Sequence, residues 1–417
     1  MVTPQRQTRH PDYLFERLVE PDILDDPYPF YHRLRERARV LLVPTAGLRL
    51  LTPASHFCFI SGHAEARQAM RELSAYRLVP PSTGHSGASR LERAFTEGLF
   101  SVDLPTHSRR RLALTSCLTP QRASALRDNA ARHCDRAMGE LTARLRDGEV
   151  ADLHHVLAKP VAVHTLCDFI GVPPADRPAL DKLVRRMFPL ADPTIDEATL
   201  ADIGNATDTF MAYHAALIAE RRRRPQDDLV SWLVALEQDR RITQGEMETQ
   251  LWTMWFLGFE STAAGIGNTL VQILRHPEHA SVLADAAPQA DALVAECLRR
   301  EPSITMAAVA RVTDRPLRIG DTLVPEDTDI RILLGAVNRD PDVFPDPDRF
   351  DPARDNSVAL TFGHGVHRCI GVYLAKMEIS VVLRQIHALL PGLRLAGEPV
   401  RRPFFFHRTF NSLPLRI

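Results

Sequence analysis

The segment from Thr243 to His276 constrains this chain most. TQGE (243–246) is a capping box, in which the Thr243 side chain can bond the N3 amide while Glu246 reaches back to the Thr243 amide. An apolar helical pattern then runs through WTMWFLGFESTAAGIGNTLVQILRH and stops before Pro277. The spacing predicts one helix of about 32 residues, roughly 48 Å at 1.5 Å per residue. In a chain of 417 residues such a helix crosses the whole molecule, so the remainder must pack around it. Its middle is odd: GFEST (258–262) sets a glycine, a carboxylate and two hydroxyls in an apolar run. Glycine in a helix interior costs about 1 kcal/mol relative to alanine, and an unpaired buried carboxylate costs more. Two readings fit these residues. Gly258 lets a neighbouring helix approach while Glu260 faces a polar partner, or the segment is functional.

Around this element helical patterns dominate, with strand-like pieces near 40–60, 311–334 and 393–417. The pattern predicts a mainly α chain with a minor β region, an α+β arrangement. Length alone would suggest about two or three domains. No linker or repeat marks a cut, so residues 1–417 read as a single domain. A hydrophobic fraction of 45% excludes a disordered or fibrous chain. A net charge of −1 gives no bulk attraction to nucleic acid or to anionic membrane. The basic run RRRRP (221–225) reads as the charged end of a helix rather than as a nucleic-acid patch. The opening MVTPQRQTRHPDYLFERL has no apolar signal core, and no stretch spans a membrane. The expectation is a soluble, cytoplasmic protein.

Six cysteines stand at 58, 117, 134, 167, 297 and 369 with no CxxC pair, which argues against a disulfide framework or a four-ligand zinc site. Five read as small buried hydrophobes. Cys369 differs. It follows LTFGHGVHR and precedes a helical pattern through Ile370, Leu374, Met377 and Val381. At a helix N-terminus, free amides and the macrodipole stabilise a thiolate. Glycines at 363, 365 and 371 allow backbone to approach a flat or bulky object. The thiolate could be a nucleophile or a metal ligand. With one protein ligand, a metal needs a cofactor for the others, as a haem iron has.

FGHGVHRCIG (362–371) fits the FGxGxHxCxG signature in full and resembles the cytochrome P450 family, with supporting segments along essentially the whole chain. The resemblance implies one triangular-prism-like domain, with haem b (iron protoporphyrin IX) between the long distal helix and the proximal Cys-bearing helix. Cys369 becomes the axial iron ligand, with Phe362, Gly363 and Gly371 against the cofactor. Glu296 and Arg299 in AECLRRE resemble the ExxR pair, with Arg349 in PDRFD as the third member of the buried network that braces the cysteine loop. LPTHSRRRL (104–112) resembles a propionate-binding segment and gives His107 and Arg111; Arg311 and His367 match the other propionate partners. LGFEST is similar to the oxygen-activating groove: Gly258 opens it, Glu260 belongs to the proton relay, and Ser261 stands where threonine is usual. Leu257, where a small residue is usual, is expected to narrow the distal pocket.

The implied activity is O2-dependent hydroxylation or epoxidation of a medium-sized, largely hydrophobic small molecule, such as a bacterial secondary-metabolite intermediate. Substrate-facing candidates are Leu257, Met306, Ala307, Phe406 and His407, with 74–100 as a variable loop. No GxGxxG opens a βαβ unit, so electrons from NAD(P)H would come through a reductase and a ferredoxin or flavodoxin, docking near Arg368 and the Arg109/Arg110 surface. The expected state is a monomer. Two other readings keep the haem: a peroxygenase, coupling, nitration or dehydration reaction, and a non-catalytic haem sensor.

Overall fold

A computed structural model describes residues 20–45, 54–72, 76–78, 97–187, 196–284, 288–307, 311–389, 392–402 and 407–417. The capping box forms as the sequence predicts, with the Glu246 amide donating to Thr243 Oγ1 at 3.2 Å and the Thr243 amide to Glu246 at 2.9 Å. The helix it opens is not continuous. It runs Gln244–Gly258, breaks at Phe259 (φ −112°, ψ −43°), and resumes as Glu260–Arg275. Two hydroxyls follow the break. Ser261 Oγ donates to the Leu257 carbonyl at 3.1 Å, and Thr262 Oγ1 donates to the Gly258 carbonyl at 3.2 Å. Such bonds to the carbonyl four residues back compete with the helix's own amides, yet Thr249 and Thr253 make them within the unbroken stretch upstream, so the hydroxyls accompany the break without sufficing to produce it.

The crossing helices lie in the main apolar core, where Trp252 and Trp255 are fully buried. Trp255 Nε1 donates to His214 Nε2 at 3.0 Å, which satisfies the one polar atom of a buried indole. Helix Val372–Leu389 packs on Glu260–Arg275. Gly265 allows the close approach, since a Cβ there would stand 2.9 Å from Ile379 Cδ1. This contact fixes the start of the Cys369-bearing helix relative to the break at Phe259.

The β region sits to one side. One five-stranded sheet has the order Val40–Pro44, His56–Ile60, Thr328–Ile332, Arg311–Thr313, Tyr76–Leu78, with the His56–Ile60 and Thr328–Ile332 pair parallel. Its apolar side forms separate small cores around Cys58, Ile60, Ile330 and around Tyr28, Tyr31, Phe57. A second, three-stranded sheet joins the carboxy-terminal strand Pro414–Arg416 to Ala151–Asp152 and Arg394–Leu395. Among the described residues no helix is long and apolar enough to cross a membrane.

Candidate active site

The loop before Cys369 is shaped by two left-handed glycines, Gly363 (φ 74°) and Gly365 (φ 71°). Side chains rarely adopt that region, which is why glycine stands there. The loop closes through the Cys369 amide, which donates to the Phe362 carbonyl at 2.7 Å. The helix begins at Val372, so Cys369 lies just before its first turn, and the Gly371 amide bonds the sulfur. Burial pushes the Cys369 thiol up, although the residue retains accessible area; the Gly371 bond and the Arg111 and Arg368 charges act the other way. A metal cation would complete the stabilisation of a thiolate. The other five cysteines are buried and free, as expected for packing residues.

His107, His367, Arg111 and Arg311 come together as the sequence implies. The His107 and His367 rings are 4.0 Å apart. His367 Nε2 is 3.7 Å from Asp103 Oδ1, and Arg311 Nη1 donates to the same oxygen at 2.9 Å. Burial, reinforced by the His367, Arg111 and Arg311 charges, pulls His107 down to about 4. Both ring nitrogens of His107 are buried and have no protein partner. Two imidazoles and two guanidiniums are thus gathered beside one carboxylate, Asp103, which the sequence reading missed and which is bound, among the described residues, by Arg311 and His367 alone. The set has donors to spare for additional carboxylates, and a haem carries two propionates. With Cys369 beside Arg111, the residues fit that cofactor.

The Glu296–Arg299 pair forms in the core, and its third partner is not Arg349. Glu296 and Arg299 have no exposed side-chain area and pair at 2.7 Å and 2.8 Å. Arg349 is not their partner: its side chain is 69% exposed and lies 3.8 Å from Asp351. The third member is Arg354, whose Nε is 3.6 Å from Glu296 Oε1 and whose side chain is only 10% exposed. It also donates to the Pro345 and Asp346 carbonyls. Asn338 carries the network to the cysteine loop. Its carbonyl accepts from Arg299 at 2.8 Å, while its side chain accepts from the Leu360 amide at 2.7 Å and donates to Thr361 at 3.1 Å.

At the helix break, the side Gly258 leaves open faces Leu166: a Cβ there would stand 3.1 Å from Leu166 Cδ1. This agrees with the close-packing reading of that glycine. Glu260 is buried and has partners no motif announces. Lys159 Nζ lies 3.6 Å from its Oε2, Arg402 Nη1 lies 3.8 Å from its Oε1, and Thr409 Oγ1 donates to Oε1 at 3.4 Å. Leu257 is 36% exposed, unusual for a large apolar side chain on a central helix. Met306 and His407 are buried and line a cavity of about 20 Å³ with Tyr31, Thr305 and Thr409. Ala307 is half-buried beside the smaller core; Phe406 and most of 74–100 lie outside the described residues.

The expected partner surface also changes. Arg109 and Arg110 both bind Glu246, the capping carboxylate, and Arg110 is buried. Their charges are committed to fastening helix Thr106–Thr115 to the crossing helix. Arg368 remains exposed beside Cys369.

A mainly helical chain with this cysteine loop, buried ion pair and donor ring has the features of a haem-thiolate protein. Comparison with known proteins supports that class. The family model for Cytochrome P450 matches residues 181–387. The chain is 32% identical to Cytochrome P450 BJ-3 of Bradyrhizobium diazoefficiens over 97% of its own length and 96% of that protein's. It is 29% identical to the monooxygenase PikC of Streptomyces venezuelae, covering 99% and 96% of the two chains. The crystal structure of P450BioI, solved with an acyl carrier protein ligated to hexadec-9Z-enoic acid, matches at a TM-score of 0.84 and 26% identity, over 95% and 100% of the chains. This chain belongs to the cytochrome P450 family and is a bacterial P450 monooxygenase, which implies a haem iron cofactor and the use of O2.

Proposed function

We propose that this protein, acting as one domain, hydroxylates or epoxidises a medium-sized, largely hydrophobic intermediate of bacterial secondary metabolism. The observation that carries the reading is the bent distal segment, where Glu260 is buried among hydrogen-bond and ion-pair partners next to the Ser261 hydroxyl. Several relatives have names of this kind, including a mycinamicin IV hydroxylase/epoxidase and an erythromycin C-12 hydroxylase.

When bound, the haem supplies O2 activation. The chain's own residues do the rest. Cys369 supplies the thiolate, and His107, His367, Arg111 and Arg311 hold the propionates. Glu296, Arg299, Arg354 and Asn338 keep the cysteine loop in register. Ser261 Oγ rests as a donor to the Leu257 carbonyl, and rotation about χ1 turns that proton toward the pocket. Glu260 stands next in line for that proton. Leu257 projects apolar bulk at the same bend and steers the substrate.

Electrons from NAD(P)H enter through a separate reductase and a ferredoxin or flavodoxin. The docking face centres on Arg368, with Leu112 (69% exposed) following Arg111 and Tyr373 (48% exposed) opening the Cys369-bearing helix. An apolar centre beside a basic residue suits a small acidic protein. The test is turnover under ¹⁸O2 with a ferredoxin and its reductase, against a panel of free and carrier-bound intermediates. Label in the product at one carbon supports the reading. Product formed only with peroxide, and without label from O2, replaces it with peroxygenation.

A further inference from the structure

Glu260 is approached by a chain of hydrogen bonds that comes from two distant parts of the sequence. Thr409 Oγ1 lies 3.4 Å from Glu260 Oε1, and His154 Nε2 lies 3.3 Å from the same Thr409 oxygen. His154 and Thr409 are fully buried. The polarity of the chain follows from its end. A carboxylate only accepts, so the Thr409 hydroxyl must donate to Glu260; its lone pair then accepts from His154, which must carry its proton on Nε2. His154 Nδ1 is left as a buried acceptor with no partner in the protein.

The local backbone is built for this. Residues His154–Ala158 form a π-helix, closed by the Lys159 amide on the His154 carbonyl. In a regular α-helix, residues five apart point about 140° away from each other. The wider π-turn brings i and i+5 to one side, and such turns recur at functional sites. His154 and Lys159 are therefore both directed at Glu260, one through Thr409 and one directly. Thr409 is equally constrained. The Arg402 amide donates to its carbonyl at 3.1 Å, and Asn268 of the crossing helix donates to the Arg408 carbonyl at 2.9 Å.

We propose that His154 and Thr409 are positioning residues that hold the Glu260 carboxylate turned inward, in place to exchange a proton with Ser261. The proposal deepens the monooxygenase reading and rests on it. Glu260 is faced by Lys159 from the π-turn helix, by Arg402 and Thr409 from the carboxy-terminal segment, and by His154 behind Thr409; Asp152 and His155 flank His154. Burial, together with the Lys159 and His155 charges, pulls His154 down to about 3, in keeping with a neutral imidazole that donates through Nε2.

The test compares Thr409→Val with Thr409→Ser, and His154→Leu with His154→Gln, in haem-loaded protein. The infrared band of the Glu260 carboxyl group, identified by its loss in Glu260→Gln, is recorded at one pH without turnover. Valine and leucine should displace it, because the carboxyl group loses the Thr409 hydrogen bond or the donor that supports it; serine and glutamine, which keep the donors, should leave it near the wild-type position. The fraction of electrons recovered in product should fall in the valine and leucine variants and be retained in the serine and glutamine variants. An unchanged band in valine and leucine variants that retain the Soret band would overturn the proposal, and so would equal displacements in all four. Failure of the monooxygenase reading would show instead as absence of ¹⁸O incorporation in the wild type, which leaves the infrared measurement readable.

Discussion

Two arginines five residues apart, Arg349 and Arg354, separate what the motif implies from what the fold uses. Arg354 Nε stands 3.6 Å from Glu296 Oε1. At an effective dielectric of about 20 that is roughly 4–5 kcal/mol of gross attraction. Desolvation of the guanidinium offsets much of it. Glu296 also keeps Arg299 when Arg354 is removed, so no bare charge remains in the core. What Arg354→Met does lose is the pair of bonds to the Pro345 and Asp346 carbonyls, at 2.6 Å and 3.1 Å. A charged donor is worth about 1.5–3 kcal/mol, less where water can replace the protein. The expected cost is about 2–3 kcal/mol. Glu296→Gln should cost more, about 3–5 kcal/mol, because it leaves two buried guanidiniums without a counter-charge. Arg349→Met removes an exposed pair at 3.8 Å and should cost less than about 1 kcal/mol. Urea unfolding of the haem-loaded variants, followed by circular dichroism and by loss of the Soret band, gives the order. If Arg349→Met proved as costly as Arg354→Met, the bracing role assigned to Arg354 would be wrong.

Ser261→Thr should raise the fraction of reducing equivalents recovered in product, because the added methyl restricts χ1, whereas Ser261→Ala should lower it about tenfold or more; NAD(P)H consumption set against product reads both. Leu257→Ala should open the bend and change product regiochemistry, with affinity for a bulkier substrate rising by up to about tenfold, read by spectral titration and product analysis. Glu378, buried in the Cys369-bearing helix, has its carboxyl pushed well above the usual range by burial. A carboxyl whose folded pKa is raised contributes fully below its unfolded value and loses that contribution as pH rises toward the folded value. Glu378→Gln should therefore match the wild type near pH 4 and gain about 1.4 kcal/mol per pH unit above about 4.5, until the folded carboxyl ionises; denaturation midpoints across pH would show a constant difference if this is mistaken.

What the sequence reveals about this site is what lies close together in the chain. The cysteine loop, the Glu296–Arg299 pair and the capping box at Thr243 are short-range patterns, and their geometry follows from helix spacing or from glycine backbone freedom. His107 and Arg111 share a helix face for the same reason. The errors have a common cause. In PDRFDPAR no period of two or 3.6 tells which arginine turns inward; that depends on turns such as the one at Asp346, with φ 47°. Asp103, Lys159 and Thr409 reach their partners across distances in sequence that no local pattern spans. The break at Phe259 leaves no mark in the sequence because hydrophobic periodicity continues across it, and Ser261 and Thr262 look like ordinary small polar residues. Arg109 and Arg110 looked like a free basic face until Glu246 was seen to occupy both.

The break itself links stability to activity at this site. Ser261 and Thr262 each take a carbonyl four residues back across the break, so the hydroxyl proposed to handle the proton lies at the bend itself. The bend is tolerated because both flanking segments are fastened elsewhere. Upstream, Glu246 ties Gln244–Gly258 to helix Thr106–Thr115 through Arg109 and Arg110. Downstream, Gly265 and Gly267 let Ile379 and Phe410 close on Glu260–Arg275, since a Cβ at Gly267 would stand 2.7 Å from the Phe410 ring. The same downstream contacts hold the helix that follows Cys369 on one side and the Thr409–Phe410 segment on the other. A change that straightened the crossing helix would therefore move Ser261 and Glu260 against both the cysteine loop and the Thr409 hydroxyl. The site is positioned by how the two halves of the crossing helix are anchored, and the signature around Cys369 supplies only one of those anchors.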